Sequence, residues 1–395
     1  MKAPVITTPR DTVVALLLRD GATHRADLAR VMGVSRTTVT NVVAPLVAKG
    51  ILSAGDDSAE TGTGTPKKQR LAISQRCGLL VSIVSRRTTL TVGIAALDGR
   101  LLGSEVKHGG ALDSGSMRLQ SAIEMVRRLQ VDLGLGEVPI LLSHVAVNSQ
   151  TDSTTGEILG GRASAAWVDV NPKTMVEAAL GSPVKVENSS RLLAFVEHLA
   201  HPEARNLIYA HLTGGVAMGQ IINGEIAAGS HGGAGELGHL SIDHNGRPCE
   251  CGNRGCLGRY VGSEFLEEEF AAILGPGASI TDGIAAARRG DYAAQRIIDQ
   301  TGTLMGEALA SVCNLLDPDL IVLGGPVAGA GDLYVEPVRE AIKRRALPLI
   351  TRTLRVTCAS ATSNPESVVA AAFELLKRDH RGFDRIVDTI LGMPH

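Results

Sequence analysis

The chain has 395 residues, of which 44% are hydrophobic and 20% are charged. This composition excludes a disordered or collagen-like protein, and the length favours two or three domains. The net charge of -2 gives no hint of nucleic acid by itself, and an aromatic content of 3% argues against recognition by stacking. The first residues lack the apolar core of a signal peptide, and no apolar run approaches the roughly 18 residues of a membrane-spanning helix. We therefore expect a cytoplasmic protein that does not enter a membrane.

Three helices are predicted near the N-terminus. They cover residues 11–19, 25–32 and 35–49, and glycines follow the second and the third. The third helix carries a stripe of apolar residues at helical spacing, formed by Val39, Val42, Val43 and Leu46. Pro45 lies inside this helix, and because proline removes a backbone hydrogen bond we expect it to kink or shorten the helix.

The second and third helices are joined by a short turn that contains Gly33, which is the helix-turn-helix pattern. Ser35 is a good N-cap, and the face after it carries short hydrogen-bonding side chains and one arginine, as contacts to a major groove or to phosphates require. Residues 51–52 and 70–73 predict the two strands of a wing, with a polar tip between them. The residues expected to contact double-stranded operator DNA are Arg25, Ser35, Arg36, Thr37, Thr38, Thr40, Asn41, Lys67 and Lys68.

The charge of the N-terminal part supports this interpretation. Residues 1–70 contain ten Lys or Arg and six Asp or Glu, so this part carries +4 and the remainder -6. Basic residues in the wing can neutralise phosphates. The alternative is a small helical bundle used for dimerisation, whose charges only solvate its surface.

Three of the six cysteines fall within eight residues. Cys249, Cys251 and Cys256 follow His239, and three thiolates with one imidazole satisfy a tetrahedral structural zinc. Four protein ligands leave no open position for water, so one Zn2+ per chain is predicted to hold a loop and not to act as a Lewis acid. The alternative is a cluster of free thiols or a redox switch.

Two runs around this cluster carry a further signal. They are Gly-Gly-Ala-Gly-Glu-Leu-Gly-His at 232–239 and Cys-Glu-Cys-Gly-Asn-Arg-Gly-Cys-Leu at 249–257. They resemble the signature of the ROK family, which groups sugar kinases with sugar-responsive repressors. Further matches at 314–325, 331–338 and 344–348 extend the resemblance over nearly the whole chain.

The resemblance implies an α/β protein in which an N-terminal winged helix-turn-helix precedes a two-lobed actin-like (ribonuclease H-like) ATPase fold. It also implies a zinc-stabilised sugar cleft between the lobes, and a homodimer or homotetramer. We expect the DNA-binding domain at residues 1–75 and the first lobe at 76–200, completed by a C-terminal helix at 365–378. The second lobe, with the zinc loop and the oligomerisation surface, is expected at 201–364.

The chain departs from the family where a sugar kinase needs its general base. The family places an aspartate directly after an asparagine, whereas Ser189 follows Asn188 here. A serine hydroxyl does not act as a base near neutral pH without a partner. Glu187 is adjacent, but along a strand it is expected to point to the other side of the chain.

Both phosphate-binding loops of the family are altered as well. In the first, Val84 and Arg86 stand at the positions of an aspartate and a glycine, so side chains take space that phosphate needs. In the second, the run at 213–219 lacks two glycines of the family pattern. We therefore expect no phosphoryl transfer, and the protein is predicted not to be an enzyme.

The hydroxyl-binding set of the family is partly retained. Asn188, Glu236 and His239 are kept, and two carboxylates are lost, at Ser189 and Gly258. The pocket is expected to bind an unusual or phosphorylated sugar, to bind weakly, or to bind nothing, and Glu236 alternatively braces the zinc loop. Two functions remain open: a DNA-binding transcriptional regulator, expected to be a repressor that responds to a sugar or sugar phosphate, or a ROK-type sugar kinase with an added DNA-binding domain.

Overall fold

The computed structural model describes residues 8–56, 69–109, 113–159, 166–168, 170–360, 362 and 364–392. Three sheets with their helices follow one another along this part of the chain. Among the residues described, no single helix is long and apolar enough to cross a membrane. The second and third helices reach the required length and apolar composition only when taken together, and they are bent by 119° at the break between them.

The N-terminal unit consists of three helices and a small antiparallel sheet. Its elements are α1 (Pro9–Asp20), β1 (Thr23–His24), α2 (Arg25–Met32), α3 (Arg36–Ala48), β2 (Leu52–Asp56) and β3 (Gln69–Ile73). The strand order is β1-β3-β2. The three predicted helices and the two predicted wing strands are confirmed. The sequence does not predict β1, because two residues are too few to show an alternating pattern.

Pro45 does not shorten α3, which continues through it to Ala48. The ring of Pro45 lies on the exposed side of the helix, whereas Val39, Val43 and Leu46 are almost completely buried on the other side. This packing holds the helix together where proline leaves one backbone carbonyl without its helical partner. The expected shortening is therefore wrong.

The first large sheet has five strands in the order β6-β5-β4-β7-β8. They are β4 (Leu79–Ser85), β5 (Thr89–Ala96), β6 (Leu101–His108), β7 (Ile140–Val147) and β8 (Val184–Asn188). The helices of this part are α4 (Gly115–Asp132), α5 (Pro172–Leu180) and α6 (Ser189–Ala200). Alternate residues of β4 enter two different apolar clusters, so both faces of the sheet are covered. This explains why β4 is a nearly continuous apolar run.

The second large sheet has the order β11-β10-β9-β12-β13. Its strands are β9 (Leu207–Leu212), β10 (Val216–Ile222), β11 (Glu225–Ile226), β12 (Leu320–Gly324) and β13 (Arg355–Cys358). The helices that follow β11 are α7 (Gly258–Val261), α8 (Ser263–Leu274), α9 (Ile280–Arg288), α10 (Tyr292–Leu316), α11 (Asp332–Arg345) and α12 (Pro348–Thr351). We refer to the parts built on the first and second large sheets as lobe 1 and lobe 2.

Two C-terminal helices connect lobe 1 to the N-terminal unit. They are α13 (Pro365–Arg378), which packs against β4 and β5, and α14 (His380–Gly392), which packs against α1, α13 and β7. One apolar cluster runs from Val13 and Leu17 of α1 to Phe373 of α13 and Ile390 of α14. The N-terminal unit and lobe 1 therefore share a continuous core.

Two buried histidines give the fold a predicted dependence on pH. Burial lowers the pKa of His144 in β7 and of His211 in β9 to about 3, so both are neutral when the protein is folded. In the unfolded chain each takes up a proton below its ordinary pKa of 6.5, so the free energy of unfolding falls as the pH drops from 6.5 toward 3. At pH 5 each histidine is expected to reduce the free energy of unfolding by about 2 kcal/mol, measured as a lower urea midpoint than at pH 7.5.

A variant separates this effect from other acid-sensitive groups. Both ring nitrogens of His144 are buried without a hydrogen-bond partner, as is the hydroxyl of Ser82 beside it in the sheet. His144→Met removes the titrating ring and keeps an apolar side chain of similar size. We expect it to lose about 2 kcal/mol less than the wild type between pH 7.5 and pH 5. An equal loss in both proteins contradicts the assignment.

Candidate functional site

The exposed side of α3 carries polar residues along one face. Arg36, Thr37, Thr40 and Asn41 are exposed, and we call these four residues the recognition face. Ser35 caps the helix, because its Oγ accepts a hydrogen bond from Thr38 N at 3.1 Å. The helix therefore presents its N-terminal end, one cation and short hydrogen-bonding groups to solvent while its apolar stripe is buried.

The other predicted DNA contacts lie in different surroundings. Thr38 is half-buried, and its Oγ1 lies 2.8 Å from Ser35 Oγ, so these two hydroxyls serve the cap. Arg25 is half-buried at the start of α2. Lys67 and Lys68 fall outside the residues that the structure describes.

Four side chains in lobe 2 form a compact ligand cluster. The donor atoms of His239, Cys249, Cys251 and Cys256 all lie within 4.8 Å of one another. Cys249 Sγ is 3.7 Å from His239 Nδ1, and Cys251 Sγ is 3.6 Å from Cys256 Sγ. Two ligands of a tetrahedral zinc with bonds near 2.3 Å lie about 3.8 Å apart, so the four residues fit such an ion.

The cysteines of the cluster differ in acidity. A hydrogen bond from the backbone of Asn253 lowers the pKa of the Cys251 thiol to about 7, whereas burial raises the pKa of Cys256 to about 12. Cys251 is exposed and Cys256 is fully buried. One thiolate is thus available near neutral pH, and a bound dication favours deprotonation of the others.

The chain around the cluster is folded too tightly for side chains at some positions. Gly255 has φ +69°, and a Cβ there would overlap the carbonyl oxygen of Asp243. An isolated bridge pairs Ser241 with Cys256. The Arg247 guanidinium lies 4.5 Å from the ring centre of Phe265, which fixes the loop to α8. The loop is therefore closed on itself by the bridge and held against α8 through Arg247.

The predicted effector residues lie on two segments that converge between the lobes. Asn188 Oδ1 caps α6 by accepting from Ser190 N at 2.8 Å, and its Nδ2 donates to Ser149 O at 2.9 Å. Glu236 is half-buried and directly precedes a 3-10 turn that ends at His239. Nδ1 of His239 is 3.7 Å from Cys249 Sγ, so this ring nitrogen can serve the cluster.

A buried ion pair ties these two segments together. Glu187 and Arg191 are almost completely buried, with Glu187 Oε1 2.5 Å from Arg191 Nε. Arg191 also donates to the carbonyl oxygen of Gly232, at the start of the segment that leads to Glu236. Glu187 further accepts from Asn188 N at 2.7 Å, so its carboxylate is engaged within the protein.

Comparison with known proteins decides the family. The model described as "ROK family" matches residues 124–378, well over half of the chain. The chain belongs to the ROK family. The resemblance predicted from the runs at 232–239 and 249–257 is therefore confirmed.

Relatives of this ROK chain include both repressors and kinases. The xylose repressor of Bacillus spizizenii is 22% identical over 352 residues, which cover 88% of this chain and 90% of that protein. The glucokinase of Halalkalibacterium halodurans is 32% identical over 201 residues, which cover 47% of this chain and 61% of that protein. The solved structure of a ROK family transcriptional regulator, a homologue of the E. coli MLC protein, has a TM-score of 0.75 at 22% identity and covers 96% of this chain and 99% of that one. This likeness confirms the predicted fold class, with a winged helix-turn-helix ahead of a two-lobed actin-like body.

The altered positions of the ROK phosphate loops lie at the ends of strands. Val84 is inside β4, and Arg86 begins the turn between β4 and β5. The second loop forms the turn between β9 and β10, and its later residues belong to β10. There Gly219 allows β10 to approach α6 closely, because a Cβ at this position would overlap the carbonyl oxygen of Ser190. Ser189 itself is the first residue of α6 and is 4% exposed.

Proposed function

We propose that this ROK protein is a DNA-binding transcriptional regulator that acts as a repressor. The observation that carries the proposal is α3, a capped helix whose recognition face is exposed while its apolar stripe is buried. The small antiparallel sheet beside it supplies the wing. Similarity to a xylose repressor over most of the chain, and likeness to a ROK transcriptional regulator, support the same assignment.

The proposed contacts to DNA follow from the placement of the described residues and, for Lys67 and Lys68, from the sequence alone. Arg36 can reach a guanine edge or a phosphate, and the hydroxyl and amide groups of the recognition face suit base edges. Thr40 Oγ1 donates to Arg36 O at 2.9 Å and keeps its acceptor lone pairs for DNA. Contacts to the phosphates are assigned to the residues nearer the helix ends and the wing, namely Arg25, Ser35, Thr38, Lys67 and Lys68.

The proposal also assigns a role to each part of the chain. Residues 1–75 bind the operator, while lobe 1 (76–200 with 365–378) and lobe 2 (201–364) form the sensing body. The protein acts as a homodimer or homotetramer, so that two recognition helices reach half-sites about one helical turn of DNA apart. The continuous apolar core through α1 and α14 offers a physical connection between the body and the DNA-binding unit.

We assign the ligand cluster in lobe 2 to one structural Zn2+ per chain. The ion would be held by His239, Cys249, Cys251 and Cys256. It would supply positive charge and would fix the positions of these four residues in a loop that has little regular structure. The tetrahedral complement of protein donors supports a closed site. Cys251 and Cys256 sulfurs 3.6 Å apart are not bonded, which fits ligands of one ion better than a disulfide.

The effector is proposed to be a sugar or sugar phosphate bound between the lobes by Asn188, Glu236 and His239. His239 links the zinc loop to this cleft, since one ring nitrogen can serve the metal and the other a ligand. The hydrogen bonds of Asn188 to Ser149 and Ser190 hold its side chain in place but use part of its hydrogen-bonding capacity. Arg191, joined to the segment of Glu236 through Gly232, connects the two sides of the cleft.

Loss of phosphoryl transfer follows from the absence of a base. Ser189 occupies the position of the catalytic aspartate, and the nearby Glu187 carboxylate is paired with Arg191. A buried, paired carboxylate is a poor acceptor for the proton of an attacking hydroxyl. The alternative function, a sugar kinase with an added DNA-binding domain, draws support from the similarity to glucokinases, which covers about half of this chain.

We expect the purified full-length protein to transfer no phosphate from labelled ATP to any of a panel of hexoses and N-acetylated hexosamines. The assay is run beside a ROK glucokinase as a positive control, with Zn2+ and Mg2+ present. Turnover at ordinary kinase rates, roughly 1 to 100 per second, would favour the kinase alternative. DNA binding is measured on the same preparation, so an inactive sample is distinguished from a protein without kinase activity.

A further inference from the structure

The turn between β4 and β5 sends two arginines from lobe 1 to lobe 2. Arg86 Nη1 donates to the carbonyl oxygen of Thr362 at 3.3 Å, on the segment that runs from β13 to α13. Arg87 Nη1 lies 3.8 Å from Glu264 Oε1, in the first turn of α8. The two side chains thus reach lobe 2 and the inter-lobe segment at separate points.

The turn is rigidly supported from behind by Arg118 of α4. This side chain is almost completely buried, and it donates to the carbonyl oxygens of Arg86 and Arg87 at 2.6 and 2.8 Å. It also donates to Ser85 Oγ at 3.3 Å. A guanidinium with several directed donors fixes the backbone of a turn in one geometry. Lobe 1 therefore fixes the backbone from which the side chains of Arg86 and Arg87 extend.

Arg87 and Arg86 each contact a defined position on the other side. A Cβ at Gly214, in the turn between β9 and β10, would overlap Arg87 Nη1, so the guanidinium lies directly on this glycine. The segment that receives Arg86 is held by Glu197 of α6, which accepts from Ser360 N at 3.2 Å and Thr362 N at 3.0 Å. The segment that Arg86 contacts is therefore itself held in place by hydrogen bonds.

We propose that Arg86 and Arg87 form an inter-lobe latch, in which Arg87 bridges the two phosphate-loop turns and Arg86 ties the first of them to the segment at Thr362. The protein's own cations then hold the cleft closed without a nucleotide. The turn at 86–88 and the turn at 213–215 face each other across Arg87, so the latch closes the part of the cleft that a nucleotide phosphate would need. Each contact is individually weak and half-exposed, so the latch opens reversibly and weakens with salt. This inference goes beyond the proposed function and does not depend on DNA binding.

Paired glycine variants test the latch without removing a charge. Gly214→Ala places a methyl group where Arg87 Nη1 lies, and the flexible arginine can move away at little cost to the fold. Gly215→Ala is the matched control, because a Cβ there meets nothing within 4 Å. Neither glycine has a positive φ, so alanine is compatible with both backbones. Arg87→Ala removes the guanidinium directly.

The readouts are amide hydrogen exchange in the two turns and the radius of gyration from small-angle X-ray scattering of the full chain. We expect Gly214→Ala and Arg87→Ala to speed exchange about two- to fivefold and to increase the radius of gyration, and the wild type in 1 M NaCl to behave in the same way. Gly215→Ala should match the wild type at low salt. The proposal is overturned if Gly214→Ala and Arg87→Ala both exchange and scatter like Gly215→Ala, or if all three variants change alike.

Discussion

Cys251→Ser is expected to abolish stoichiometric metal binding and to lower the melting temperature by roughly 5 °C or more. Cys251 is exposed, so the substitution disturbs no packing, and any large loss of stability must come through the metal. Serine is a poor zinc ligand, and three remaining donors leave the ion open to water. Zinc content by atomic emission and thermal unfolding on the same sample measure both effects.

Cys358→Ser is the matched control for this experiment. Cys358 is half-buried outside the cluster, and its Sγ donates to Ala328 O at 3.2 Å, a hydrogen bond that a hydroxyl can keep. This variant should retain one zinc per chain and a melting temperature close to that of the wild type. A Cys251→Ser protein with one zinc per chain and an unchanged melting temperature shows that the site is assigned wrongly.

Arg36→Ala is expected to weaken operator binding by roughly 10- to 100-fold, the effect of losing one good arginine contact to a base edge. Arg36 is exposed at the start of α3, so the melting temperature should not change. If Arg36 contacts a phosphate instead, binding weakens for all sequences alike and the slope of log affinity against log salt falls by about one. Titrations of a labelled operator at three salt concentrations separate these two outcomes.

Arg296→Ala supplies the comparison for loss of one positive charge. Arg296 is exposed on α10 in lobe 2, far along the chain from the recognition face. Its replacement should leave operator affinity within about twofold of the wild type, because exposed charges more than a Debye length from DNA are screened. Equal weakening by Arg36→Ala and Arg296→Ala would mean that binding reports net charge and not contact by α3.

Local patterns in the sequence were sufficient for much of the fold. The capped helix after Ser35 and the strands of the wing follow from caps, glycines and apolar spacing within a few residues. The shortening expected from Pro45 was wrong, because α3 continues to Ala48 with its apolar stripe packed on the opposite side. The stripe is visible in the sequence, whereas its burial is seen only in the structure. The short strand β1 is stabilised by pairing with β3 and has no signal of its own.

The candidate sites, like the fold, could be predicted only in part from the sequence. The ligand cluster could be predicted because its cysteines are close in sequence and their chemistry is distinctive. The Glu187–Arg191 pair has helical i, i+4 spacing, but only its burial and its contact to Gly232 reveal that it joins two segments far apart in the chain. The contact of Arg87 with Gly214 joins residues far apart in the chain, and no local pattern indicates it.

In the first phosphate loop, the structure gives Arg86 and Arg87 contacts that the sequence does not indicate. From the sequence, Arg86 is only a side chain where a glycine belongs. In the structure, the carbonyl oxygens of Arg86 and Arg87 are bound by the buried Arg118, and their side chains extend toward lobe 2. The replacement is thus part of an organised contact between the lobes.

Selection of bound fragments from the genomic DNA of the source organism shows whether this ROK protein recognises specific DNA through α3. The full-length wild type and Arg36→Ala are incubated with the same sheared DNA at physiological salt, and the retained fragments are sequenced. We predict a small set of sites enriched by the wild type, with an inverted repeat that reflects two recognition helices, and loss of that enrichment with Arg36→Ala. Enrichment of no discrete sites by the wild type, or of the same sites to the same extent by Arg36→Ala, would contradict it.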